Sequence, residues 1–183
     1  RRRQDLLAED LERVLAAFER DRIEAIPLKG SAMLLDRREE IGWRPMADLD
    51  LLVRHPNQQE IDLAYAHAGY CLPLNYSTGL SGLTWKHLHY QYCEHEWPQV
   101  DEPGEHPDHP RDIESHPRVV EMMRGIRWDI TGWITNNLKL VDGGRRVPDD
   151  RAMSLHLAVH ASLSALDSRL RMGQIVDLDR QLE

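Results

Sequence analysis

The chain has 183 residues, of which 41% are hydrophobic and 30% charged, with a formal net charge of −8. Those figures exclude a disordered chain and fit one ordinary globular domain with room for an appended subdomain. The acid excess argues against an extended nucleic-acid footprint, which shows as a basic face, and no apolar run reaches the length of a membrane span.

In chain order, Leu7, Leu11, Val14, Leu15 and Phe18 recur at helical spacing and predict an amphipathic helix over residues 1–23. "EAIPLKG" reads as a short strand with Pro27 at its edge or start, ended by Gly30. "SAMLLDRRE" resumes helical character, with Ser31 as its N-cap. "GWRP" is a turn, and "MADLDLLV" a strand entering a core. "HPNQQEIDLAYAHAGY" is a second amphipathic helix with Gly69 at its C-terminal cap, followed by a short strand, "CLPL".

"HLHYQYC" alternates and predicts another strand. Residues 94–110, "EHEWPQVDEPGEHPDHP", form a long loop, and "RDIESH" is the strand that returns from it. Pro117 directly follows His116, so that strand is expected to be short or to lie at an edge. "WDITGWITNNL" reads as a short helix and "VDGGRRVPDD" as a turn with a helix start. Two closing helices, residues 150–166 and 168–182, join near Asp167 and Ser168. Cys71 and Cys93 make no disulfide framework and suit a reducing cytoplasm. No signal peptide is visible, and the chain opens at "RRRQDLL" without a Met, which suggests a missing upstream piece.

The strand at 46–53 poses a chemical question. Side chains alternate along a strand, so Asp48 and Asp50 share one face, opposite Leu49 and Leu51. Two like charges on one face need a partner, and a divalent cation supplies it. Alone, an Asp-x-Asp pair is more often two solvated surface acids. Here Gly30-Ser31 precedes it at the start of a helix, where free N–H groups and the helix dipole favour phosphate. Mg²⁺ takes a few carboxylates together with substrate phosphates, and two such ions clamp an in-line displacement at phosphorus.

With these residues in view, the chain resembles the polymerase-beta-type nucleotidyltransferase superfamily. "IPLKGSAMLL" and "RPMADLDLLV" resemble more narrowly the uncharacterised nucleotidyltransferases, which carry Leu-Lys-Gly and then Arg before Asp-x-Asp-Leu-Leu-Val. "IESHPRVV" and the closing helical region resemble the same group. The resemblance implies an α/β (α+β) fold: a mixed sheet flanked by helices over residues 1–147, then a C-terminal helical segment over 148–183. It implies Mg²⁺ (or Mn²⁺) and transfer of NMP from an NTP donor to a hydroxyl on a small molecule, a protein or an RNA end. Gly30 and Ser31 match its phosphate-binding turn, and Asp48 and Asp50 its metal ligands. Glu114 matches the third carboxylate, acting as general base or sharing a second metal, with Asp112 its rival two residues away. Lys29 and Arg44 flank the motif as cations for the triphosphate or the leaving pyrophosphate. The alternatives are a degenerate nucleotide-binding or regulatory module and a cation-binding structural domain.

Other residues carry weaker signals. His156 and His160 lie four apart on a helix, but no Glu follows His156 as a metalloprotease helix requires. They are expected as a buried, hydrogen-bonded pair with Asp177 near. His95, His106 and His109 fall in the solvated loop, and Trp85, Trp97, Trp128 and Trp133 are expected in the core or a lid.

Overall fold

The computed structural model describes residues 2–37, 46, 48–72, 88–92, 112–123, 126–166 and 172–182. The first helix, α1 (Arg2–Arg20), buries Leu7, Leu11, Val14, Leu15 and Phe18 as their spacing predicts. Strand β1 (Ala25–Pro27), helix α2 (Lys29–Asp36) and strand β2 (Asp48–Val53) follow. Helix α3 (Gln58–His67) leads into strand β3 (Tyr70–Cys71). Gly69 between them has φ +86, and a Cβ there would meet the Tyr92 ring at 2.7 Å, so both backbone and space require glycine.

Strands β4 (Leu88–Tyr92) and β5 (Asp112–His116) complete a five-stranded sheet of order β1-β2-β5-β4-β3. Strand β5 runs parallel to β2, while β1–β2, β4–β5 and β3–β4 are antiparallel. The mixed sheet flanked by helices agrees with the expected fold class. Strand β5 is short, as Pro117 predicts, but it is central rather than at an edge. Its ladder register ends at His116, so the missing N–H of Pro117 removes no bond from the ladder.

One face of the sheet is apolar. Leu49, Leu51, Val53, Ile113 and Tyr90 pack with the buried residues of α1 and with Ile61, Ala64 and Tyr65 of α3. Tyr65 stacks on Tyr90 at 3.8 Å between ring centroids and meets Phe18 edge-on at 4.7 Å.

Beyond β5 the chain forms a hairpin of β6 (Val120–Met123) and β7 (Ile126–Asp129), helix α4 (Thr131–Asn136), and a second hairpin of β8 (Leu138–Leu140) and β9 (Arg146–Pro148). Neither hairpin is predicted by pattern, because strands of three or four residues carry too little alternation. The short helix expected from Trp128 begins at Thr131, and Trp128 itself is in β7. Trp128 and Trp133 are 43% and 47% exposed, so neither is a core residue. Helices α5 (Asp150–Leu166) and α6 (Met172–Leu182) pack together, and α5 meets α2 through Ala32, Met153 and Leu157.

Several expectations lie outside the described residues: Arg44 and its "GWRP" turn, the 94–110 loop with His95, His106 and His109, Trp85, Trp97, Cys93, and the join at Asp167 and Ser168.

Candidate metal centre

The parallel pairing of β2 and β5 builds the second face of the sheet. Asp48 lies opposite Asp112, Asp50 opposite Glu114, and Leu52 opposite His116. Residues opposed in a ladder share a face, so the acid-spacer-acid of one strand meets the acid-spacer-acid-spacer-His of the other. On the far side of β5, His89 of β4 is opposite Glu114, with Nε2 3.8 Å from Oε1. His116 Nε2 lies 3.0 Å from Asp50 Oδ1 and 3.6 Å from Glu114 Oε2. Asp50, Glu114 and His116 each offer a ligand atom within 4.8 Å of the others, a trio able to coordinate a metal ion.

Residues 28–31 wrap around Asp50. Leu28 N–H donates to the Asp50 carbonyl at 3.0 Å, extending the β1–β2 ladder by one residue. Asp50 N–H donates to Ser31 Oγ at 2.8 Å. Between them Lys29 adopts the left-handed region, φ +46, where a side chain other than glycine is strained. Its Nζ donates to Asp50 Oδ1 at 2.7 Å. This corrects the expected start of α2. The strand ends at Pro27 rather than Gly30, the helix begins at Lys29, and Leu28 is the N-cap without a side-chain bond. Ser31 lies inside the first turn, its N–H donating to the Leu28 carbonyl at 2.9 Å and its hydroxyl accepting from Asp50. Gly30 and Ser31 are both buried, so the turn sits beneath Asp50 rather than open to solvent.

The charges are strongly interdependent. Burial acts to neutralise Lys29, but the carboxylates of Asp50, Glu114 and Asp48 outweigh it and hold its pKa above the ordinary lysine value. Burial likewise opposes ionisation of Asp50. The Lys29 ammonium first, and then His116, overcome it and hold the carboxyl well below its usual range. Burial pulls His116 down, while Asp50 and Glu114 raise it above an ordinary histidine.

Of the candidate site residues, Lys29, Asp50 and Glu114 are brought together. Asp48 and its neighbour Asp112 lie one step along the same face, outside the trio. Sequence reasoning did not count His116 as a ligand, although its position two residues after Glu114 puts it on the same face of the strand. It also missed His89, whose pairing partner is a tertiary fact. His156 of α5 is buried as expected, but its Nδ1 has no hydrogen-bond partner among the described residues. Burial first, and the Lys29 charge next, push that imidazole down to about 3. His160 Nδ1 lies 3.5 Å from Glu121 Oε1 instead of completing a pair with His156.

A mixed sheet whose central parallel strands present carboxylates to one another, beside a strand–turn–helix segment, defines a nucleotidyltransferase-type core. The chain belongs to the uncharacterised nucleotidyltransferase family, whose model matches residues 1–183. No curated protein sequence matches it. Its fold is similar to the solution structure of the antibiotic-resistance factor ANT(2'')-Ia, with a TM-score of 0.60 over 97% of this chain and 83% of that one, at 11% identity. Among the described residues no helix is long and apolar enough to cross a membrane.

Proposed function

We propose that the protein is a metal-dependent nucleotidyltransferase that moves NMP from an NTP to a hydroxyl acceptor and releases pyrophosphate. The observation that carries this reading is the pairing of Asp50 with Glu114 across parallel β2 and β5, in a chain of this family. The donor set fits a divalent cation. Ligands about 2.1 Å from an octahedral ion stand about 3 Å apart, close to the 3.0 and 3.6 Å separations of this trio. Asp50, Glu114 and His116 would hold Mg²⁺ or Mn²⁺, and the imidazole nitrogen favours Mn²⁺ over Mg²⁺. Such an ion, when bound, stabilises the charge of the transferring phosphoryl group.

The chain's own residues supply the rest. Lys29, with Arg44 flanking the same motif, offers cationic charge to the triphosphate, and the Gly30-Ser31 turn holds the strand that carries the acids. The acceptor oxygen bonds to the α-phosphorus as the bond to the pyrophosphate oxygen breaks. The acceptor's proton passes to Glu114, while Asp48 lies two residues before Asp50 on the same face. The net charge of −8 favours a small-molecule or protein hydroxyl over an RNA end.

One observation favours a second reading, a module that binds nucleotide without turnover: Asp48 stands outside the ligand trio. Calorimetry with a non-hydrolysable ATP or CTP analogue, with and without Mn²⁺ or Mg²⁺, separates the two when paired with a pyrophosphate-release assay on NTP. The transferase reading expects metal-dependent binding and release, both lost in Glu114→Gln. Binding without release favours the module. No binding to the wild type removes both.

A further inference from the structure

We propose that Lys29 is the built-in counter-cation of the metal centre, which a divalent ion must displace from Asp50 in order to bind. The inference rests on the reading of Asp50 as a metal ligand and goes beyond it by assigning how the site is regulated.

Three observations on the molecule carry it. The Lys29 ammonium lies 2.7 Å from Asp50 Oδ1, the same oxygen that faces His116 at 3.0 Å, and Asp50 belongs to the ligand trio. Both side chains are largely buried, so the pair is shielded from water and salt. Lys29 is held there by a left-handed backbone, fixed between a ladder bond at Leu28 and the Ser31–Asp50 bond. A strained residue persists only where its surroundings over-determine it, and here the strain aims an ammonium at a ligand oxygen.

A single positive charge is bonded to the carboxylate that a doubly charged ion would have to share. In a site of low dielectric, a divalent ion at that carboxylate is strongly repelled by the ammonium held against it. Metal entry therefore breaks the Lys29–Asp50 bond and frees the ammonium for an incoming anion, so that metal without a phosphate-bearing partner binds weakly. The contact works as a lock on the site against adventitious divalent ions.

The test titrates Mn²⁺ alone, by calorimetry, into the wild type and Lys29→Met, which keeps the length of the side chain and removes its charge. Lys29→Met is expected to bind Mn²⁺ at least tenfold tighter and to gain more thermal stability from it. Equal or weaker binding in a folded Lys29→Met overturns the proposal, while binding to the wild type leaves the metal reading standing. Absence of binding to both proteins removes the two readings together, and binding to Lys29→Met alone supports the lock. A second measurement follows the Lys29 ammonium itself. In wild type with ¹⁵N-labelled lysine, the buried Lys29 ammonium gives its own NMR signal, assigned by its absence in Lys29→Arg. Saturation with Mg²⁺ is expected to shift or abolish that signal, and an unchanged signal at saturation overturns the proposal.

Discussion

On β2 the two faces of the sheet are one residue apart and are held by opposite means. Leu49, Leu51 and Val53 enter the apolar layer under α1 and α3, where each is at most 1% exposed. Asp48 and Asp50 enter a face where Asp50 is nearly as buried but surrounded by Lys29, His116 and Glu114. Apolar burial is non-directional and tolerates repacking. A buried charge is tolerated only with its partner in place. The comparison predicts that the apolar face fails by losing volume and the acid face by losing one member of a pair.

The largest effect is expected at Asp50. Asp50→Ala removes a member of the proposed metal-binding trio and also strands the Lys29 ammonium in a buried site. Unfolding in urea should show a loss of about 3–5 kcal/mol, and metal binding should vanish. The double variant Lys29→Met/Asp50→Asn should regain most of that stability and none of the binding. A single Asp50→Ala as stable as the wild type would show that the pair is solvated and would dissolve the contrast between the faces.

On the other face, Leu51→Ala leaves a cavity in a fully buried position and should cost about 3 kcal/mol in the same assay. The folded fraction should bind metal with unchanged affinity, because Leu51 points away from the ligands. A tenfold loss of metal affinity in Leu51→Ala would mean that the apolar layer sets the position of Asp50 after all.

The two faces were also unequally legible in the sequence. The helical recurrence of Leu7, Leu11, Val14 and Phe18, the alternation through Asp48–Val53, and the acid-spacer-His of β5 are local patterns, and local patterns survive in a sequence. What they leave open is pairing. That Glu114 rather than Asp112 stands opposite Asp50 follows from the register of two parallel strands far apart in the chain. The place of Ser31 inside the helix is illegible for the same reason. A serine after glycine at a helix start reads as a cap, whereas its hydroxyl meets the Asp50 N–H, a partner that only the β1–β2 ladder brings near. Trp128 and Trp133 show the limit of hydrophobicity as a guide, since both stand at the surface in a hairpin and a one-turn helix too short to bury them.

A pH titration sharpens the comparison from behind the acid face. His156 is held at about 3 in the folded chain against about 6.5 when unfolded. The unfolded chain therefore binds the extra proton below pH 6.5, and stability falls as pH drops through the window from 6.5 toward 3. The slope should approach about 1.4 kcal/mol per pH unit, or about 2 kcal/mol between pH 7 and pH 5. His116 opposes this only above pH 6.5. Its folded pKa is raised, so its contribution is fully present below pH 6.5 and is lost only as pH rises above that. Asp50, whose pKa is depressed, adds its own loss only below the ordinary aspartate range, near pH 4. Metal-free denaturation of His156→Leu should show a flat profile from pH 6 to pH 5, and an unchanged slope would assign the acid sensitivity to another group.

The smallest effect lies at the far end of the apolar layer. Asn57 caps α3, its Oδ1 accepting from Gln59 N–H at 3.0 Å, while its amide donates to Glu60 Oε1 at 2.7 Å. Asn57→Ala should cost about 1 kcal/mol, through fraying of the turn that carries Ile61 into the core. Ile61, Ala64 and Tyr65 of the helix pack on the apolar face, so metal affinity should remain that of the wild type. This variant is the mildest perturbation of the layer that Leu51→Ala damages severely. If both leave the metal centre unmoved, the two faces are energetically separate although their residues alternate along β2. If the small loss at Asn57 weakens metal binding while the large one at Leu51 does not, coupling runs through the α3 side of the sheet, where Tyr90 of β4 packs under the His89–Glu114 edge.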